Sequence, residues 1–75
     1  MDDTIETAEL YLGALWYAKG MKFSGIRREG RQCWFVFVNK KECQAMEVRF
    51  YAQEETVVAK TYADAIRTLK GLVFH

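Results

Sequence analysis

Histidine and cysteine are scarce in this sequence, and long apolar runs are missing. Each shortage closes off a kind of chemistry. The one histidine, His75, is the final residue, which leaves a Ser–His or Cys–His nucleophilic pair without a well-placed base. The two cysteines, Cys33 and Cys43, fall short of a disulfide-dense scaffold. With His75 they supply three of the four Cys or His ligands of a structural zinc site. The five glycines are scattered at 13, 20, 25, 30 and 71, so no glycine-rich phosphate loop is present. The longest apolar run, Leu10 to Ala18, is nine residues broken by Gly13, against the ~20 of a membrane span. Met1-Asp2-Asp3-Thr4 is acidic and lacks the basic start of a secretory signal. The expectation is a soluble, cytoplasmic protein with reduced thiols, no cofactor and no catalytic constellation. Glu54-Glu55 and Asp2-Asp3 are adjacent acids in loops or ends, where carboxylates are ordinarily just solvated.

What is present is a folded composition: 75 residues, 51% apolar and 28% charged, with a net charge of +1. That length allows one domain, over residues 1–75. A domain of this size buries only about 60% of its unfolded surface, and its core rarely supplies more than ~3–5 kcal/mol. With disulfides and metal set aside, oligomerisation is the remaining supplement.

Residues 7–19 read as the first helix, with Thr7 as N-cap, Glu9 in the first turn and Gly20 at C′. Apolar side chains cover nearly every side of it, and such a helix is normally buried on more than one side. A chain this short can hardly surround it alone, which argues for a homo-oligomer. Residues 21–38 read as a β-hairpin, with Gln32–Val38 as the stronger strand and Glu29-Gly30 as the turn. That register sets Arg28 opposite Arg31 and Gly25 opposite Trp34, with a bulge at Gly25 as the alternative. Cys33, Phe35 and Phe37 then share one face, and Trp34, Val36 and Val38 the other. Both faces are apolar, so both should be covered.

Residues 40–53 fit two patterns. Asn39 followed by Glu42 is a helix-capping arrangement that places Cys43, Met46 and Phe50 on one face. Met46-Val48-Phe50-Ala52 also alternates as a strand would, pairing with Thr56–Ala59 in a second hairpin. Helix is the preferred reading. A last helix starts at Thr61 and carries Tyr62, Ala65, Ile66, Leu69 and Val73 at core spacing. The fold class expected is α+β, ordered α-β-β-α-(short β)-α, with a two-stranded antiparallel hairpin packed against helices.

Thr7-Ala8-Glu9-Leu10-Tyr11-Leu12, Lys19-Gly20, Trp34-Phe35-Val36-Phe37, Phe50-Tyr51 and Tyr62-Ala63-Asp64-Ala65-Ile66-Arg67-Thr68-Leu69-Lys70 follow one another in this order. The series resembles a small prokaryotic family of uncharacterised domains, a "domain of unknown function" found in bacteria, archaea and phages. The resemblance spans about residues 4–74 and rests on order and spacing, since each motif is an ordinary helix or strand pattern. It implies helix for residues 40–53, and a host- or defence-directed partner is in keeping with a phage context. Gly13 departs from the pattern, where alanine is expected. The family has no established activity or site residues, so none carry over.

Charge is unevenly spread. Residues 1–18 carry Asp2, Asp3, Glu6 and Glu9 and no base, whereas residues 19–41 hold seven bases against Glu29 alone. Two readings follow. The first is a non-catalytic interaction module, a homodimer or an adaptor to another protein, anchored by Tyr11, Trp16, Tyr17 and Trp34. The second is a nucleic-acid-binding accessory protein that grips backbone through Lys22, Arg27, Arg28 and Arg31 beside strand aromatics. The same arginines also serve as edge-strand protection, or meet the acidic N-terminal segment of a partner copy.

Overall fold

A computed structural model describes residues 3–74. The sequence readings that fall on Met1, Asp2 and His75 lie outside these residues. The elements are β1 (Thr4–Thr7), α1 (Leu10–Ala18), β2 (Phe23–Glu29), β3 (Gln32–Val38), α2 (Lys40–Tyr51) and α3 (Ala59–Val73). The α+β class holds, with a hairpin packed on helices. The extra strand, however, is β1 at the start of the chain, and residues 54–58 are irregular. Three of the four β1 residues are β-branched, and Ile5 and Thr7 alternate with Thr4 and Glu6 as a half-buried strand requires. β1 pairs antiparallel with β3, giving the sheet order β1-β3-β2.

The hairpin turn sits one residue later than predicted. Glu29 pairs with Gln32, so Gly30 and Arg31 form the loop. Gly30 takes φ +61 and Arg31 does not take a positive φ, the pattern of a II′ turn, whose twist suits a hairpin. This sets Arg28 opposite Cys33 and Arg27 opposite Trp34. The alternative for Gly25 is the one realised: the register shifts between Phe23 and Gly25, and Gly25 adopts φ +142 at the bulge.

α1 starts at Leu10, three residues late. Thr7 belongs to β1, where its hydroxyl accepts from the Glu9 amide at 3.0 Å, and Glu9 becomes the N-cap, accepting from the Tyr11 amide at 3.2 Å. At the other end Gly20, at φ +89, occupies C′ as predicted. Met21 N–H reaches Trp16 O and Gly20 N–H reaches Tyr17 O, a Schellman closure. α2 confirms the helical reading of this segment, with Asn39 accepting from the Glu42 amide at 3.3 Å. It ends in a second Schellman closure in which Gln53 takes the left-handed φ of +61. α3 starts two residues before Thr61, at Ala59. Val58 is its N-cap and makes no side-chain cap bond, and the helix runs through Gly71.

The helices cover the sheet face that carries Phe35 and Phe37. Trp16 packs edge-on to Phe37 at 5.4 Å, and Phe23 stands 5.3 Å from the same ring. A Cβ on Gly13 would lie 3.3 Å from Phe35 and 3.5 Å from Leu69, so this glycine lets α1 fit between the sheet and α3. Five consecutive α1 residues, Leu12 to Trp16, are buried, and the Trp16 indole N–H donates to Cys43 O of α2 at 3.0 Å. Sheet, α2 and α3 between them enclose Leu12 to Trp16, while Tyr11 and Tyr17 of the same helix remain exposed. The molecule is 19 Å thick across Cα atoms, room for two layers and no third.

Electrostatic ties fasten the loop before α3. Glu55 receives Arg49 at 2.6 Å and Lys19 at 3.3 Å, while Lys19 also donates to Thr56 O. Arg49 foremost, and Lys19 with it, hold the Glu55 carboxyl below its ordinary pKa. This loop therefore loses support as pH falls and Glu55 takes a proton.

Candidate interaction surfaces

The four aromatic residues expected as anchors do not share a face. Trp16 is 1% exposed, so it is a core residue and not a surface anchor; its hydrogen bond to Cys43 O satisfies the one polar atom that such burial would strand. Tyr11 is exposed on α1, where its carbonyl accepts from the Tyr62 hydroxyl at 2.9 Å. Tyr17 is partly exposed at the far end of α1, edge-on to Phe23 at 5.9 Å. Trp34 lies on the opposite side of the molecule, on the sheet face turned away from the helices.

Within this chain only one side of the hairpin is covered, so the cover expected for its second apolar face is not supplied by the chain's own helices. Val36 and Val38 follow Trp34 along the same face of the central strand, and all three are half-buried and outside the core cluster. Glu6 of β1 and Arg27 of β2 reach across β3 to each other, with bonds of 2.8 and 2.9 Å. The guanidinium lies 5.3 Å from the centre of the Trp34 ring and also holds Glu29 at 2.7 Å. Arg27 is thus a strap over the face, charge-matched and stacked.

The four residues of the nucleic-acid reading are separated as well. Arg27 is engaged by two carboxylates. Lys22 precedes β2 at the other end of the hairpin from the turn, roughly 15–20 Å from Arg27 at strand rise. Arg28 points to the helix side, where its Nη1 donates to Cys33 Sγ at 3.1 Å. Arg31 sits in the turn. Of these four, Arg28 and Arg31 remain together without a carboxylate partner among the described residues.

They are joined by residues the sequence did not connect to them. Lys70 and Phe74 of the α3 end approach the hairpin tip and the start of α1, enclosing a hollow of about 210 Å³. Leu10, Phe35, Val73 and Phe74 supply its apolar lining, and Arg31 and Lys70 its basic rim. In the sequence, Lys70 reads only as a complement to the negative end of its helix and Val73 only as core. No periodicity links either to Arg31, because that meeting is made by tertiary packing.

Among the described residues, no three His, Cys, Asp or Glu side chains gather as a metal site needs. No buried side-chain nitrogen or oxygen among them lacks a partner. Among the described residues, too, no helix is long and apolar enough to cross a membrane. Burial, with Glu42 and Asp3 nearby, pushes the Cys43 thiol up to about 11, the opposite of nucleophile activation. In comparisons with known proteins, the chain matches no family model, no curated protein and no solved structure.

Proposed function

We propose that this protein is a non-catalytic interaction module that self-associates through the bare face of its sheet. The observation that carries the reading is the Trp34-Val36-Val38 column on the central strand, which stands outside the core while no third layer among the described residues covers it. Uncovered apolar surface of this kind marks interaction sites on small proteins. A second copy suits the face because its charges are balanced. Glu6 and Glu29 stand against Arg27 at the strap, and Lys40 borders the shallow hollow beside Trp34. A two-fold contact then sets each charge near its opposite.

The sheet is three strands wide and β3 is seven residues long. At ~4.8 Å between strands and ~3.3 Å per residue the face projects about 14 by 23 Å. That is small beside the ~800 Å² per partner of a standard interface, so the dimer expected is a weak, reversible one. Sedimentation velocity from 5 to 500 µM should show dimer growing in at the upper concentrations, and Trp34→Lys should abolish it while leaving the circular dichroism spectrum unchanged. A chain that stays monomeric throughout this range overturns the reading.

Nucleic-acid binding is the second reading, supported by Arg28 and Arg31 at the tip. It predicts anisotropy changes with labelled single-stranded DNA or RNA that vanish at moderate salt and in Arg28→Ala/Arg31→Ala. Unchanged binding in that variant would remove the tip as the site.

A further inference from the structure

We infer that the hollow at the hairpin tip is a docking site for an acidic peptide segment of a partner protein, with one large apolar side chain entering the hollow and flanking carboxylates meeting Arg28, Arg31 and Lys70. This goes beyond the self-association proposed above and uses a different surface.

Charge is the first observation. Seven ion pairs tie Lys19, Arg27, Arg49, Lys60 and Arg67 to acids, but Arg28, Arg31 and Lys70 have no carboxylate partner among the described residues. Arg31 and Lys70 line one hollow, and Arg28 stands next to it, donating to the lining residue Cys33. Lys70 has a second duty in the last turn of α3, where it complements the helix dipole; the two arginines have none. Glu9 is the acid nearest along the chain to the lining residues Ala8 and Leu10, and its carboxylate is occupied in capping α1. The rim is therefore a local excess of positive charge facing an apolar floor.

Size is the second. A hollow of about 210 Å³ is smaller than the ~300–1,000 Å³ of small-molecule sites. It suits a single bulky side chain, the way interface anchors fill pockets. Phe74, 76% exposed at the rim, provides apolar surface that an incoming side chain would cover. A nucleic acid asks for something else: cations in a row that tracks a backbone. Here Arg27 is neutralised and Lys22 lies at the far end of the hairpin, so no such row forms. Arginine pairs with carboxylates bidentately, which gives a peptide both register and charge matching.

The test is fluorescence anisotropy of the full chain at 50 mM salt with a fluorescein-labelled hexapeptide of aspartate and glutamate that carries one central phenylalanine. The expected result is saturable binding that weakens at least tenfold in Arg31→Glu/Lys70→Glu and at least fivefold when serine replaces the peptide's phenylalanine. Circular dichroism of the double variant establishes that it is folded, and Val73→Asp, which places a charge in the floor, is an independent route to the same loss. No binding up to 1 mM peptide overturns the inference, as does equal affinity for the serine peptide, which would reduce the site to bare charge attraction. Phenylacetate binding as tightly as the peptide would make it a small-molecule site, and tighter binding of a labelled oligonucleotide a polyanion site. Either result also overturns the peptide assignment. Sedimentation of the same samples reports self-association separately, so failure of one proposal is distinguishable from failure of the other.

Discussion

Arg27 and Arg28 are neighbours on one strand, yet they belong to different halves of this molecule. Arg27 lies on the bare face, stacked on Trp34 and gripped by Glu6 and Glu29. Arg28, one residue on, turns to the helix side and meets only a sulfur. The same two-residue period separates Phe35 and Phe37, which are 4% and 0% exposed, from Val36 and Val38, which are half-buried. Strand alternation alone therefore divides the protein into a face that holds it together and a face that is left over. What decides between them is which side the helices take. That choice is made by Gly13, Trp16 and Leu69, far from the hairpin in sequence.

The sharpest way to break this contrast is to truncate one side chain on each side of β3. Phe37→Ala should cost about 3–5 kcal/mol in denaturant unfolding, enough to unfold most of a domain this small. Val36→Ala should cost no more than about 1 kcal/mol, as is usual for positions outside the core. Equal losses would mean that the outer face is packed after all. Next in size is an alkaline effect from the covered side. Cys43, fully buried, keeps its proton in the native state up to about pH 11, against an ordinary value of 9.0. Above pH 9 the unfolded chain loses that proton first, so native stability declines across this window, by at most about 1.4 kcal/mol per pH unit. Tyr62, whose hydroxyl burial also pushes up, acts in the same direction. Cys43→Ala should flatten the slope, although the variant starts less stable; an unchanged slope would assign it elsewhere.

Smaller still is Gln53→Gly at the left-handed cap of α2. Relief of the backbone should stabilise the fold by about 0.5–1 kcal/mol. Because Gln53 is exposed just beyond the end of α2 and belongs to no strand, a change in association in this variant would reveal coupling through stability rather than contact. The least effect on unfolding belongs to Glu6→Gln, which loosens the strap over Trp34. The unfolding midpoint should stay within error, since exposed ion pairs contribute little.

How much of this was legible in the sequence depends on the range of the interaction. Gly20 as a helix stop, Asn39 with Glu42 as a helix start and the two faces of β3 are local, and each emerged from spacing alone. The hairpin register slipped by one because Glu29-Gly30 and Gly30-Arg31 both offer a glycine to the turn, and only pairing with the rest of the sheet distinguishes them. β1 was missed because four residues give too short a period to compete with a helix cap at Thr7. Treating Trp16 as a surface anchor failed for a physical reason. One chain encloses the Leu12–Trp16 stretch of α1 once a glycine allows close approach of sheet and α3. The tip hollow was invisible in the sequence because Lys70 and Arg31 meet only after both layers are assembled.

The two tryptophans make the central claim directly measurable. Trp16 donates its indole N–H to a buried carbonyl and Trp34 presents its ring on the bare face. In a nitrogen-15-labelled sample they give two indole resonances, which can be followed as the protein is diluted from 1 mM to 10 µM. If the bare face is the working surface, the Trp34 resonance shifts with concentration and that of Trp16 stays fixed. Two resonances that both hold still, or that move together, would contradict the division of this protein into a holding face and an interacting one.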